Sequence, residues 1–277
     1  MPTEDWKSTM TRYPVFTRRT ALIAGAAGAT AFVKADASFA QERAPPRTYV
    51  LIHGGWYGGW VWRDVVPALR AIGHVASAPT MTGVGERKHL ISDTVGLTTN
   101  IDDIVNHIEM EGLHDIHLVG WSYGGMVATG VLARMSGRIR SVIYLDAFVP
   151  ENGKALADYV APAVRERFLK AAAEKQHITP IPFEVFGVKD ARVVEYCIPR
   201  LVRQPWLSLT EPVKALPQQP DIPHTYIRCT GYDPSSFATF YERFKSDPRW
   251  DTQLLASSHV CMLEHPKETV KLLANAR

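Results

Sequence analysis

Cysteine is scarce. Cys197, Cys229 and Cys261 are an odd set with no paired spacing, so neither a disulfide framework nor a thiolate metal site is implied. No H-E-x-x-H pair occurs, no G-x-G-x-x-G opens the first helix, and the glycine-rich HGGWYGG stretch lacks the Lys-Ser/Thr of a Walker loop. Metal-assisted, dinucleotide and nucleoside-triphosphate chemistry therefore have no sequence support, and no cofactor or metal is expected. Charge is also sparse, at 21% of residues, and its two signs almost cancel at +3. Lys and Arg are scattered among Asp and Glu, which argues against a nucleic-acid partner. Long apolar runs are missing too. The most apolar leader stretch, residues 21–33, is too short to span a bilayer, so no stable membrane anchor is expected.

That stretch belongs to TRRTALIAGAAGATAFV, where Arg18 and Arg19 directly precede an Ala/Gly-rich segment followed by SFA and QER. The arrangement reads as a twin-arginine export signal over residues 1–40, cleaved after Ala40, with a periplasmic or secreted mature chain over 41–277. With 46% of its residues apolar, the mature chain can bury one substantial core.

Within it, RTYVLIHGG, HVASAP, DIHLVG, IRSVIYLDAF, HTYIRCTG and WDTQLLASS read as strands. They alternate with helical segments, among them WRDVVPALRAIG, GGMVATGVLARM and SSFATFYERFK. TNIDDIVNHIEMEG sets Ile101, Ile104, Val105 and Ile108 on one face, with Thr99 or Asn100 as the expected cap, and a last helix opens at Pro266. Near-continuous apolar strands alternating with amphipathic helices specify an α/β fold with a mostly parallel sheet covered on both faces. Residues 151–220, rich in proline and aromatics, interrupt the pattern and read as a small helical cap over one edge of the sheet.

Gly120-Trp121-Ser122-Tyr123-Gly124 lies between the strand DIHLV and the helix GGMVATGVL. By composition such a pentapeptide arises in roughly one chain in ten of this length. A strand before it and a helix after it are the context in which the sharp turn exposes a serine nucleophile. A serine needs a base, itself oriented by an acid, in the chain order serine, acid, histidine. His259 follows the last strand and is the expected base, with His265, at a helix entrance, as its nearest competitor. Two acids satisfy the order. Asp233 follows the next-to-last strand and is preferred; Asp146, ending the strand after the nucleophile helix, is the alternative. The oxyanion of acyl transfer needs backbone N–H donors, expected from Tyr123 and from Gly55 in the loop after the first strand. His53 is expected to fix that loop.

Taken together, HGGWYGGWVW, GWSYGG, YLDAFVP, RQPWLSLTEP, CTGYD and SSHVCMLEHP resemble the α/β-hydrolase superfamily. The likeness is to the branch of plant methylesterases, the salicylate-binding esterase, hydroxynitrile lyases and small bacterial esterases, over about residues 47–276. It implies Ser122 as nucleophile, His259 as base and Asp233 as acid, since CTGYD followed by Phe240 keeps the family's spacing. It likewise implies Gly55 and Tyr123 as oxyanion donors. Hydroxynitrile lyases of the branch carry a threonine after the position of His53 and a lysine after the base; Gly54 and Val260 stand there instead, which disfavours lyase chemistry. A small-molecule ester is the expected partner, and at most a second copy of the chain. The aromatics near the expected pocket, with Trp56, Trp121 and Trp206 assigned to substrate contact, point to serine hydrolysis of an apolar or aromatic ester, with amide or lactone hydrolysis on the same scaffold and a non-catalytic small-molecule binder as the alternatives.

Overall fold

The computed structural model describes residues 45–218, 220–233 and 235–277. The leader assigned to residues 1–40 lies outside the described residues. Six parallel strands form one sheet in the order β2-β1-β3-β4-β5-β6: β1 (Thr48–Ile52), β2 (Val75–Ser77), β3 (Ile116–Trp121), β4 (Ile139–Leu145), β5 (His224–Cys229) and β6 (Trp250–Leu255). All six match the apolar runs read from the sequence. Every residue of β3 is buried, and since successive residues face opposite sides, both faces of the sheet are covered at its centre. The edge strands β2 and β6 are shorter or partly exposed.

Helices α1 (Val65–Ala71), α2 (Leu97–Met110) and α3 (Gly124–Met135) supply the first crossovers, α2 packing on α3 through its buried face of Leu97, Ile101, Ile104, Val105 and Ile108. The start of α2 differs from expectation. It begins a turn before Thr99 and Asn100, because Glu211, far along the chain, accepts from Thr98 N–H (3.0 Å) and supplies the acceptor that a local cap would have provided.

Between β4 and β5 the chain leaves the sheet. It forms α4 (Pro162–Ala173), α5 (Ala191–Cys197) and α6 (Trp206–Thr210), joined by short 3-10 turns, with α4 against α6. The chain then returns through α7 (Ser235–Phe244), α8 (Cys261–Glu264) and α9 (Pro266–Asn275), the last packed on α1. Among the described residues, no helix is long and apolar enough to cross a membrane.

Candidate active site

Ser122 sits one residue beyond β3 with φ of +55°, a left-handed conformation that costs a non-glycine residue energy and marks a sharp elbow. The glycines on either side are there for space. A Cβ on Gly120 would lie 2.6 Å from the carbonyl oxygen of Gly124, and one on Gly124 would lie 2.6 Å from that of Ile52. The elbow is tied to the next strand, since Ser122 N–H donates to Leu145 O (3.4 Å) and Phe148 N–H donates to Ser122 O (3.2 Å). Ser122 Oγ has no hydrogen-bond partner among the described residues and lines an apolar pocket.

His259 is delivered by the loop after β6. Its backbone N–H donates to Phe186 O (3.1 Å), and its carbonyl accepts from Trp121 Nε1 (2.8 Å). The imidazole is sandwiched between Phe186, at 4.7 Å and 21°, and Phe237, at 5.1 Å and 16°. Its Nδ1 lies 2.7 Å from Asp146 Oδ2, a buried acid–base pair. Asp146 follows β4, again with positive φ (+44°), is fully buried, and is fixed through its own N–H on Ile227 O (2.6 Å). Its other carboxylate oxygen accepts from Cys229 N–H (3.0 Å). A carboxylate this buried requires such donors.

The loop after β1 completes the site. His53 is buried; its Nε2 accepts from Met81 N–H (3.1 Å), so Nδ1 carries the proton and donates to Gly54 O (2.8 Å). Burial pushes its pKa down to about 4, which keeps this tautomer neutral. Trp56, with φ of +67°, donates its N–H to Gln204 Oε1 (2.7 Å), and Gln204 is held in turn by Ser208 Oγ (2.7 Å). Among the described residues, the N–H groups of Gly55 and Tyr123 have no protein acceptor.

The pocket over Ser122 has a volume of about 240 Å³. Phe148, Leu156, Phe168, Ile181 and Phe186 contribute to its apolar wall, and Ser122, Asp233 and Ser236 are its small polar part. A larger cleft, of about 590 Å³, lies at the opposite end of the sheet among Arg47, His117 and Arg140, and does not touch Ser122.

Residues 49–272 match the model of the alpha/beta hydrolase family. The chain belongs to this family. It is 41% identical over 241 residues to the carbendazim hydrolyzing esterase of Nocardioides sp. (strain SG-4G), covering 82% of this chain and 98% of that relative. The match to salicylic acid-binding protein 2 of Nicotiana tabacum is partial, 32% over 108 residues, or 38% of this chain and 40% of the relative. Among solved structures, an extracellular alpha/beta-hydrolase from a Paenibacillus species superposes with a TM-score of 0.73 at 23% identity, over 83% of this chain and 99% of the other.

In this hydrolase three of the site expectations require correction. Asp233 is exposed at the pocket mouth and makes no hydrogen bond among the described residues; Asp146 is the carboxylate paired with His259. The reason is local: Thr230 and Gly231 pair with Leu255 O and Ser257 O, which runs the loop after β5 beside the His259 loop and turns Tyr232, not Asp233, toward the imidazole. Trp121 is fully buried behind His259 and lies off the pocket wall. Trp206 also lies off that wall, its indole N–H on Asp93 (3.3 Å), whereas Trp56 does line it. Gln204 and Tyr232 were not singled out in the sequence. Gln204 sits in the proline-rich RQPW segment, where no periodicity marks an inward side chain.

His53 makes stability depend on pH. Its folded pKa, about 4, lies below the ordinary histidine value of 6.5 that the unfolded chain keeps, so the unfolded chain binds the proton first as pH falls. Stability is complete above about pH 6.5 and is lost progressively toward pH 4, by about 2 kcal/mol between pH 7 and pH 5 from this group alone. His117, pushed to about 4 by burial and by the charges of Arg47 and Arg140, acts in the same direction. Urea midpoints measured at both pH values check the slope, and His53→Gln is expected to flatten it.

Proposed function

We propose that the protein is a serine carboxylic-ester hydrolase acting on small apolar or aromatic esters through Ser122, His259 and Asp146. The carrying observation is Asp146 Oδ2 at 2.7 Å from His259 Nδ1. That contact keeps the proton on Nδ1 and leaves Nε2 as the base. Ser122 Oγ attacks the ester carbonyl while Nε2 takes its proton, and the N–H groups of Gly55 and Tyr123 receive the oxyanion. Nε2 then returns the proton to the departing alcohol, and a water repeats the sequence on the acyl-enzyme.

The pocket supports the substrate class. At about 240 Å³ it is smaller than the roughly 300–1,000 Å³ of drug-sized sites, and its wall is largely aliphatic and aromatic. The relative named a carbendazim hydrolyzing esterase adds a methyl carbamate on a planar heteroaromatic amine to the candidates. The paired arginines Arg18 and Arg19 support export of this activity from the cytoplasm.

The reading is tested with residues 41–277 on 4-nitrophenyl acetate, 4-nitrophenyl benzoate and carbendazim. Turnover should be abolished by one equivalent of a serine-directed organophosphonate, with the adduct mapped to Ser122. Equal rates on acetate and benzoate would remove the aromatic preference, and turnover unaffected by the adduct would remove the serine mechanism.

A further inference from the structure

A phenol stands inside the acid–base contact. Tyr232 Oη lies 2.8 Å from His259 Nδ1 and also donates to Asp146 Oδ2, the same oxygen that faces Nδ1 at 2.7 Å. We propose that Tyr232 is a positioning residue of the Asp146–His259 pair, its hydroxyl holding the carboxylate so that the Nδ1–H of His259 meets it in one geometry. This role rests on the Ser122–His259–Asp146 reading.

Proton accounting assigns the direction of each bond. Nδ1 carries its hydrogen whenever Nε2 is the base, and an ionised carboxylate only accepts. Tyr232 has one O–H, and the acceptor within reach is Asp146 Oδ2. Burial, and after it the charge of Asp146, raise the Tyr232 phenol above its usual range, so the proton stays on Oη. The lone pairs of Oη then share the Nδ1–H with Asp146 in a three-centre bond. With Cys229 N–H on the opposite oxygen, both carboxylate oxygens are clamped before the imidazole approaches. Charge-assisted bonds of this kind are the strong ones in proteins, and a carboxylate held by them has little freedom to rotate away.

The backbone around Tyr232 is shaped to bring it there. Gly231 N–H donates to Ser257 O at 2.7 Å, and a Cβ on Gly231 would lie 2.6 Å from that carbonyl. From the other side Gly187, with φ of +70°, closes the turn after the Phe183–Phe186 segment, and a Cβ there would come within 2.5 Å of the Cβ of Tyr232. Two bare glycines thus seat one tyrosine against the pair. The same cap segment supplies the Phe186 ring stacked on His259.

The test is Tyr232→Phe, which keeps the ring and removes the hydroxyl. It is expected to lower kcat on an aryl ester about tenfold with KM unchanged. It is also expected to shift the ¹H resonance of His259 Nδ1–H downfield in ¹⁵N-histidine-labelled protein, because that proton is then bonded to Asp146 alone. The resonance is assigned by its loss in His259→Gln. Unchanged kcat, a lower kcat without movement of the resonance, or a rise in KM alone would each overturn the proposal. Should Tyr232→Phe fail to fold, replacing tyrosine by 3-fluorotyrosine changes Oη both as donor and as acceptor and should move the resonance; an unmoved resonance overturns the role. The resonance reads the Tyr232 contact without turnover, whereas a parent protein inert toward every ester strikes the hydrolase reading itself.

Discussion

Asp146→Asn is expected to lower kcat on an aryl ester by about four orders of magnitude, the loss seen when a serine-protease triad acid becomes an amide. The substitution keeps volume and the Cys229 contact but presents Nδ1 with a group that can donate as well as accept. The imidazole can then adopt the wrong tautomer, and the imidazolium formed during attack loses its counter-charge in a site where both side chains are almost fully buried. Asp233→Asn is the paired measurement. Asp233 sits at the exposed pocket mouth, so its amide should change KM by less than about tenfold and leave kcat in place. The reverse outcome, a collapse in Asp233→Asn with Asp146→Asn active, would show that the loop after β5 rearranges to supply the acid in solution.

Gly125→Ala should destabilise the fold by about 3 kcal/mol or more, because overpacking against an immovable neighbour carries that scale of cost. A methyl on Gly125 would stand 2.1 Å from Phe148 O and 3.1 Å from the carbonyl carbon. These are backbone atoms, and no rotamer change relieves them. Phe148 N–H is bonded to Ser122 O, so the displacement is transmitted directly to the turn at Ser122. At this chain length the melting temperature should fall by roughly 10 °C, with ester turnover falling alongside it. Gly137→Ala is the control, since nothing lies within 4 Å of its added Cβ. That variant should stay within about 0.5 kcal/mol of the parent. A Gly125→Ala protein as stable as Gly137→Ala would mean that α3 and the Phe148 turn can separate without cost.

The sheet was legible because its evidence is local. Runs such as TYVLI and IHLVGW are apolar at consecutive positions, which only a strand covered on both faces requires, and each ends where a glycine or a helix pattern begins. The elbow was legible for a similar reason: Gly120 and Gly124 flank Ser122 at fixed spacing because a Cβ at either would meet backbone within 2.6 Å. His259 could be named because the last strand leaves few histidines beyond it. The start of α2 was not legible, since the carboxylate of Glu211 that serves it lies 113 residues away.

By itself, then, the sequence determined the α/β sheet, the sharp turn that carries Ser122, the place of His259 after the last strand and of Gly55 in the loop after the first. Only the tertiary structure decided which carboxylate meets His259. Asp146 and Asp233 both follow strands at the same edge of the sheet and both obey the chain order, so no pattern along the chain separates them. The His259 loop crosses over β5 to reach the end of β4, and the pairing of Thr230 and Gly231 with the strand-end carbonyls turns Tyr232 inward and Asp233 to solvent. A one-residue difference in which side chain faces inward is a property of two loops packed together, and neither loop carries it alone.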